Sequence, residues 1–270
     1  MLNGKFVFLG TGNMASAIIG GITGDYPDDR IVVYDIDESK YQKFSGRSFT
    51  FTRSAKEAVE SGDYVFLAVK PQNFSELLTG LRESGTDLEN KTFVSIAAGI
   101  TTDYICGKLG KKVPVIRTMP NTPMLYGKGV TALSKNEYVN EKIFRDVCRV
   151  FASSGEAFTL PESKMNEIIA VTSSSPAYVF LFIKSIVDGA KELGFDEDNM
   201  LDIVCRMVEG SAEMMRKSGK TPDELIRMVC SPKGTTEKAI DHLVENRFEE
   251  NIVEAMKKCT DRANELSKGM

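Results

Sequence analysis

Residues 10–15 read Gly-Thr-Gly-Asn-Met-Ala and directly follow the apolar run that closes residues 5–9, Lys-Phe-Val-Phe-Leu. The pattern G-x-G-x-x-(G/A) carries weight when a strand precedes it and a helix follows, and both flanks have that character here. Gly10 permits a tight turn. Gly12 has no Cβ, so a pyrophosphate can approach the backbone, and Ala15 lets the helix pack close to the strand. Thr11, Asn13 and Met14 complete the turn, and the amides at the helix start face the phosphates. The chain is therefore expected to start with a nucleotide-binding βαβ unit.

The rest of the N-terminal half fits that start. Apolar runs at 31–36, 64–70, 92–98 and 113–119 read as strands, and residues 157–160 as a last one. Helical spacing separates them, at 74–83 and 137–154 among others. Near-continuous apolar strands alternating with helices predict a mostly parallel Rossmann-type sheet covered on both faces. Past Pro161 no strand pattern remains, and every segment shows helical spacing. The expected architecture is α/β: a dinucleotide-binding domain over 1–160, then an all-α domain over 161–270. Residues 176–190 are apolar almost all round, which predicts burial in a helical core or at a subunit interface.

Composition removes several function classes. The net charge of −4 gives no broad basic surface for nucleic acid. The longest apolar run, Tyr178–Ile183, is far short of a bilayer span, so no membrane partner is expected. The apolar start of the chain lacks a charged leader and a cleavage site. Five scattered cysteines without a CxxC pair predict free thiols in a reducing cytoplasm. The single histidine, His242, lies in a helix-surface pattern, so neither a metal site nor a Ser-His-Asp triad is expected.

In an open α/β sheet the ligand lies at the carboxyl ends of the strands. Asp35 ends the second strand, where a carboxylate accepts hydrogen bonds from ribose hydroxyls and repels a 2′-phosphate. That favours NADH over NADPH, whereas nearby Ser39 and Lys40 offer partners for a phosphate. Ala68, Val69, Lys70 and Pro71 form the turn after the third strand. Lys70 is read equally as a phosphate or ribose contact and as a solvated lysine. Ile96, Ala97 and Ala98 leave room for a flat nicotinamide ribose, and the stiff Pro-Asn-Thr-Pro turn places Asn121 at the cleft.

Residues 230–236, Cys-Ser-Pro-Lys-Gly-Thr-Thr, precede an amphipathic run. Locally they read as an ordinary Ser/Thr helix cap. The ordered set FLGTGNMASAIIGG, FLAVKPQ, SIAAGIT, VIRTMPNTP, SSPAYVF and VCSPKGTT nevertheless resembles the pyrroline-5-carboxylate reductase family nearly end to end. The resemblance implies NAD(P)H-dependent reduction of the C=N bond of Δ1-pyrroline-5-carboxylate to L-proline, the last step of proline biosynthesis. It also implies a helical dimerisation domain and a homodimer, with larger rings of dimers in some relatives, and an active site completed at the dimer interface. Ser231, Gly234, Thr235 and Thr236 then bind the substrate, Thr236 at the ring nitrogen as the catalytic residue. Glu162 matches a position near the substrate.

Three departures from the family pattern stand out: Lys233 in place of a first glycine, Thr172–Ser175 in place of a Ser-Gly-Ser-Gly loop, and Met228 in place of a polar residue. Two rivals stay open. A 3-hydroxyacid-type dehydrogenase would use a lysine such as Lys164 or Lys184, and a nucleotide-sensing dimer would bind NAD(P)H without turnover.

Overall fold

The computed structural model describes residues 2–268, with side chains for all of these but 197, 198 and 268. The chain divides into two compact units. One runs to Ser174 and includes the segment from Cys259 onward; the other is Ser175–Lys258. The change from strand to helix falls after the last strand, whereas the units divide after Ser174.

The first unit holds an eight-stranded sheet. Its strands are β1 (Phe6–Leu9), β2 (Ile31–Tyr34), β3 (Thr50–Phe51), β4 (Tyr64–Leu67), β5 (Thr92–Ser95), β6 (Val115–Met119), β7 (Gly129–Lys135) and β8 (Gly155–Thr159). Their order is β3-β2-β1-β4-β5-β6-β7-β8. Every neighbouring pair is parallel except β6 and β7. Side chains alternate between the faces, as a strand requires. Phe6, Phe8, Val33 and Phe66 enter one core, and Val7, Leu9, Val32 and Val65 enter the other. Phe8 and Phe66 stack with ring centroids 4.6 Å apart. Helices α1 (Asn13–Asp25) and α5 (Glu141–Ala152) cover the first core through Ile18, Ile22, Val147 and Phe151. Helices α2 (Ala55–Glu60), α3 (Phe74–Glu83) and α4 (Thr102–Leu109) cover the second through Val59, Leu78 and Ile105.

Two strands depart from the sequence reading: β3, only two residues long, and β7, which pairs antiparallel with β6. The helix expected over 137–154 starts at Glu141, because Asn140 caps it by accepting from the Lys142 nitrogen at 2.8 Å.

The second unit contains α6 (Ser175–Glu192), α7 (Glu197–Lys217), α8 (Pro222–Val229), α9 (Thr235–Glu245) and the start of α10 (Phe248–Lys268). Among its described residues only Val187, Val204 and Leu225 are buried apolar side chains. Phe180 and Leu181 are 60% and 65% exposed. The apolar helix at 176–190 is thus not buried in a core of the chain's own. Within Ile169–Glu192 an 18-residue stretch reaches a mean hydropathy of 1.3, long and apolar enough to cross a membrane by length and composition. The stretch extends beyond the run Tyr178–Ile183 because apolar residues lie on either side of it.

Candidate active site

Parallel pairing brings the ends of four strands to one edge. Leu9 pairs with Tyr34 and with Leu67, and Leu67 with Ser95. The sheet order reverses between β1 and β4, and at such a switch point the chains leaving the two strands part and open a crevice. A cavity of about 780 Å³ lies there, lined by Gly10, Thr11, Gly12, Asp35, Ala68, Val69 and Lys70 among others. That is within the usual range for a small-molecule site.

The glycine turn is built as the motif requires. Gly10 sits at φ +97°, and a Cβ there would meet the Ala68 carbonyl oxygen at 2.7 Å. A Cβ on Gly12 would meet nothing within 4 Å, so the space before the helix is open. Helices α2, α4, α5 and α8 are each capped by a Ser, Thr or Asn side chain. Helix α1 starts from Gly12 with no side-chain cap and no acid in its first turn. Its first amides and its positive pole are left for an anion. These residues fit a dinucleotide pyrophosphate.

Asp35 is buried and fully engaged by its own chain. Oδ2 accepts from the Thr11 nitrogen and hydroxyl, each at 2.8 Å. Oδ1 accepts from the Asp37 nitrogen and Lys40 Nζ, each at 3.0 Å. Lys43 Nζ donates to the Thr11 carbonyl beside them. Burial pushes the Asp35 carboxyl up, but the bonds from Asp37, Lys40 and Thr11 outweigh it and hold it below the ordinary value. The carboxylate is the turn's internal counter-charge, and Lys40 neutralises it at the cavity wall.

Asn13 is exposed at the helix start, and Met14 packs on the first core. Pro71 opens a short 3₁₀ turn over 71–73. Ile96, Ala97 and Ala98 leave β5 and touch the first core, the second core and a third cluster around Met119 and Ala263. Ile36, 84% exposed, lines the cavity beside Asp35. Sequence reading missed it, although an isoleucine inside the acidic stretch Tyr-Asp-Ile-Asp-Glu is itself a signal.

Two residues assigned to the substrate are engaged elsewhere in the first unit. Asn121 donates from Nδ2 to the Thr172 carbonyl at 2.9 Å and accepts from the Val130 nitrogen at 2.8 Å. Glu162 accepts from the Thr102 nitrogen at 2.8 Å and the Thr102 hydroxyl at 2.6 Å. Its carboxylate also lies 3.7 Å from Arg117 Nη1. The serine-rich stretch forms a π turn over Ile169–Ser173, closed by Ser174 donating to the Ile169 carbonyl at 2.8 Å. Its hydroxyls tie it down: Ser173 donates to the Pro120 carbonyl, and Ser174 lies 3.2 Å from the Cys259 sulfur.

In the helical unit α9, like α1, starts from a glycine, but it carries Glu237 in its first turn where α1 has no acid. Gly234 starts α9 with no side-chain cap, so the amides of Thr235 and Thr236 are free of one. A Cβ on Gly234 would meet the Ser231 hydroxyl at 2.4 Å. The Gly234 nitrogen donates to the Ser231 carbonyl at 2.9 Å, which closes the turn. Lys233 stands at φ +61°, and its nitrogen donates to Glu237 at 2.7 Å. The loop suits a small carboxylate. Met228 is exposed on α8.

A doubly wound sheet with an open glycine turn at its switch point defines a dinucleotide-binding α/β protein. The comparisons narrow the class. Residues 162–266 match the family described as pyrroline-5-carboxylate reductase dimerisation, and residues 5–99 match NADP oxidoreductase coenzyme F420-dependent. The pyrroline-5-carboxylate reductase of Escherichia coli (strain K12) is 36% identical over 98% of both chains. That of Pseudomonas aeruginosa is 33% identical over 97% of both. Among solved structures, the Plasmodium falciparum pyrroline carboxylate reductase with NADP bound gives a TM-score of 0.91 at 26% identity, covering 99% of each chain. The Streptococcus pyogenes enzyme gives 0.90 at 27%, covering 97% of this chain and 98% of its own. The chain belongs to the pyrroline-5-carboxylate reductase family.

Proposed function

We propose that the protein reduces Δ1-pyrroline-5-carboxylate to L-proline with NADH or NADPH. The observation that carries this reading is a pair of uncapped, glycine-started helices, one in each unit. The α1 turn suits a pyrophosphate, and the α9 loop suits a small carboxylate. A nucleotide sensor has no use for the second. A 3-hydroxyacid dehydrogenase would want an activated lysine, but Lys164 and Lys184 are paired on the surface with Glu167 and Asp188.

When bound, the cofactor supplies the hydride. The chain's own residues bind and orient. Ser231, Gly234 and Thr235 hold the substrate carboxylate, and the Thr236 hydroxyl faces the ring nitrogen, where hydrogen bonding favours the protonated, more electrophilic imine. Gly10, Thr11, Gly12, Asn13 and Met14 hold the pyrophosphate, Ala68, Val69, Lys70 and Pro71 one wall, and Ile96, Ala97 and Ala98 the nicotinamide side. Because Lys40 neutralises Asp35 from within and Thr11 occupies its other oxygen, both cofactors are accepted. Glu162 and Asn121 support the scaffold rather than touch the substrate.

The exposed apolar faces of α6 and α7 support a homodimer, since each large side chain buried contributes roughly 1.5–3 kcal/mol. Phe180→Asp should convert a sedimenting dimer to a monomer. The five free thiols support a reducing compartment such as the cytoplasm. The reaction is tested by following NADH and NADPH oxidation with pyrroline-5-carboxylate and with a panel of 3-hydroxyacids in the reverse direction. Turnover of the imine alone is the expected result.

A further inference from the structure

Arg117 lies in the middle of β6, is 1% exposed, and plays no part in the chemistry above. Its guanidinium reaches two ways. Nη1 lies 3.7 Å from the Glu162 carboxylate, and Nη2 donates to Asn166 Oδ1 at 2.5 Å. The Nε has no partner among the described residues. Burial pushes the guanidinium below its ordinary value, and the carboxylates of Glu162 and, less strongly, Glu167 oppose the shift.

The two branches end on elements that flank the Ile96–Gly99 loop. Glu162 holds the Thr102 nitrogen and hydroxyl, the first residue of α4. Asn166 donates from Nδ2 to Asn264 Oδ1 at 2.8 Å and to the Ser267 hydroxyl at 3.1 Å. Both acceptors lie in the last turns of α10. Those turns press on Gly99, where a Cβ would meet Leu266 Cβ at 3.2 Å and the Ala263 carbonyl at 3.4 Å. Gly99, at φ +77°, joins Ile96–Ala98 to α4. One buried guanidinium therefore fixes both the exit of the loop and the helix end behind it.

We infer that Arg117, through Glu162 and Asn166, is the positioning residue that sets the Ile96–Gly99 loop for the nicotinamide half of the cofactor. The inference rests on the proposed placement of the nicotinamide beside Ile96–Ala98. It goes further by separating the two halves of the cofactor: the adenosine half meets the glycine turn and Asp35, and none of the contacts described for Arg117, Glu162 or Asn166 reaches those residues. A buried charge is costly unless paired, so the guanidinium is held to its two partners, Glu162 and Asn166. That is the property a positioning element needs, since a misplacement of about 1 Å can cost on the order of 100-fold in rate.

The test compares NADH with ADP-ribose, which lacks the nicotinamide, on the full chain. Thr102→Val keeps the shape and removes one charge-assisted bond; Glu162→Gln removes the charge. Dissociation constants are measured by calorimetry at temperatures where circular dichroism shows each variant folded. The expected result is NADH affinity roughly tenfold weaker with ADP-ribose affinity unchanged. A fall in kcat for imine reduction should accompany it, and Arg117→Lys should retain more NADH affinity than Arg117→Met. Equal losses for both ligands, or no loss for either, would overturn the inference while leaving the cofactor site intact. A wild-type chain that binds neither ligand would overturn the placement of the cofactor itself, and the inference with it.

Discussion

Asp35 and Thr11 close the glycine turn together: one carboxylate oxygen accepts both the backbone nitrogen and the hydroxyl of Thr11, each at 2.8 Å. The carboxylate thus organises the turn from behind. Asp35→Ala should weaken NADH and NADPH by a similar factor, about tenfold for loss of bonds to a charged group. Fluorescence titration with both cofactors checks this. A rise in NADPH affinity with a fall for NADH would mean that the carboxylate faces the ribose instead.

The same carboxyl sets a pH dependence. Hydrogen bonds hold its folded-state pKa below the ordinary value despite burial. A depressed folded pKa contributes stability above the unfolded value, about 3.9, and that contribution is lost as pH falls through the folded value. The gap in melting temperature between wild type and Asp35→Asn should be full at neutral pH and shrink below about pH 4. Melting curves across that window measure it, and a gap independent of pH would contradict the assignment.

Lys233 occupies the left-handed region at φ +61°, with no chiral preference in its favour. A non-glycine residue there is strained by about 1–2 kcal/mol. Lys233→Gly relieves that strain and gives back part of it through added freedom of the unfolded chain, roughly 0.5–1 kcal/mol. The net expectation is a variant more stable than wild type by up to about 1 kcal/mol, whereas Lys233→Ala gains nothing. Denaturant unfolding of both variants decides it; equal stabilities would show that the backbone has another source of relief.

Thr236 differs from its neighbours in the loop because its hydroxyl, and not only its amide, is assigned a task. Thr236→Ala should lower turnover about tenfold or more, the low end for a lost proton-transfer or transition-state contact. Thr236→Ser should keep most of the activity. Steady-state kinetics check this, and an unchanged kcat in the alanine variant would remove Thr236 from the mechanism.

How much of this could be read beforehand depends on the range of the interactions involved. β1 and β4 are apolar on both faces and β5 has a buried apolar centre, so they are visible in the residues themselves. The glycine turn is local and its roles follow from short spacing. β7 was not legible: Gly-Val-Thr-Ala-Leu-Ser-Lys becomes a strand through its pairing with β6, a tertiary contact. Asp35 was found, but its partners Thr11 and Lys40 arrive only when the turn folds, so its internal role was hidden. Glu162 looked like a helix start because its partners, Thr102 and Arg117, come from distant segments. Arg117 sits inside an otherwise largely apolar strand, and only its burial marks it. Lys233 stands where the resemblance implies a glycine, and its positive φ is a conformation that glycine adopts without strain.

Transfer of a labelled hydride tests the central claim most directly. The chain would be incubated with pyrroline-5-carboxylate and NADPH deuterated at both C4 positions, and the product examined by mass spectrometry and NMR. The account predicts L-proline carrying a single deuterium at C5. Unlabelled proline, or no proline while the cofactor stays bound, would contradict it.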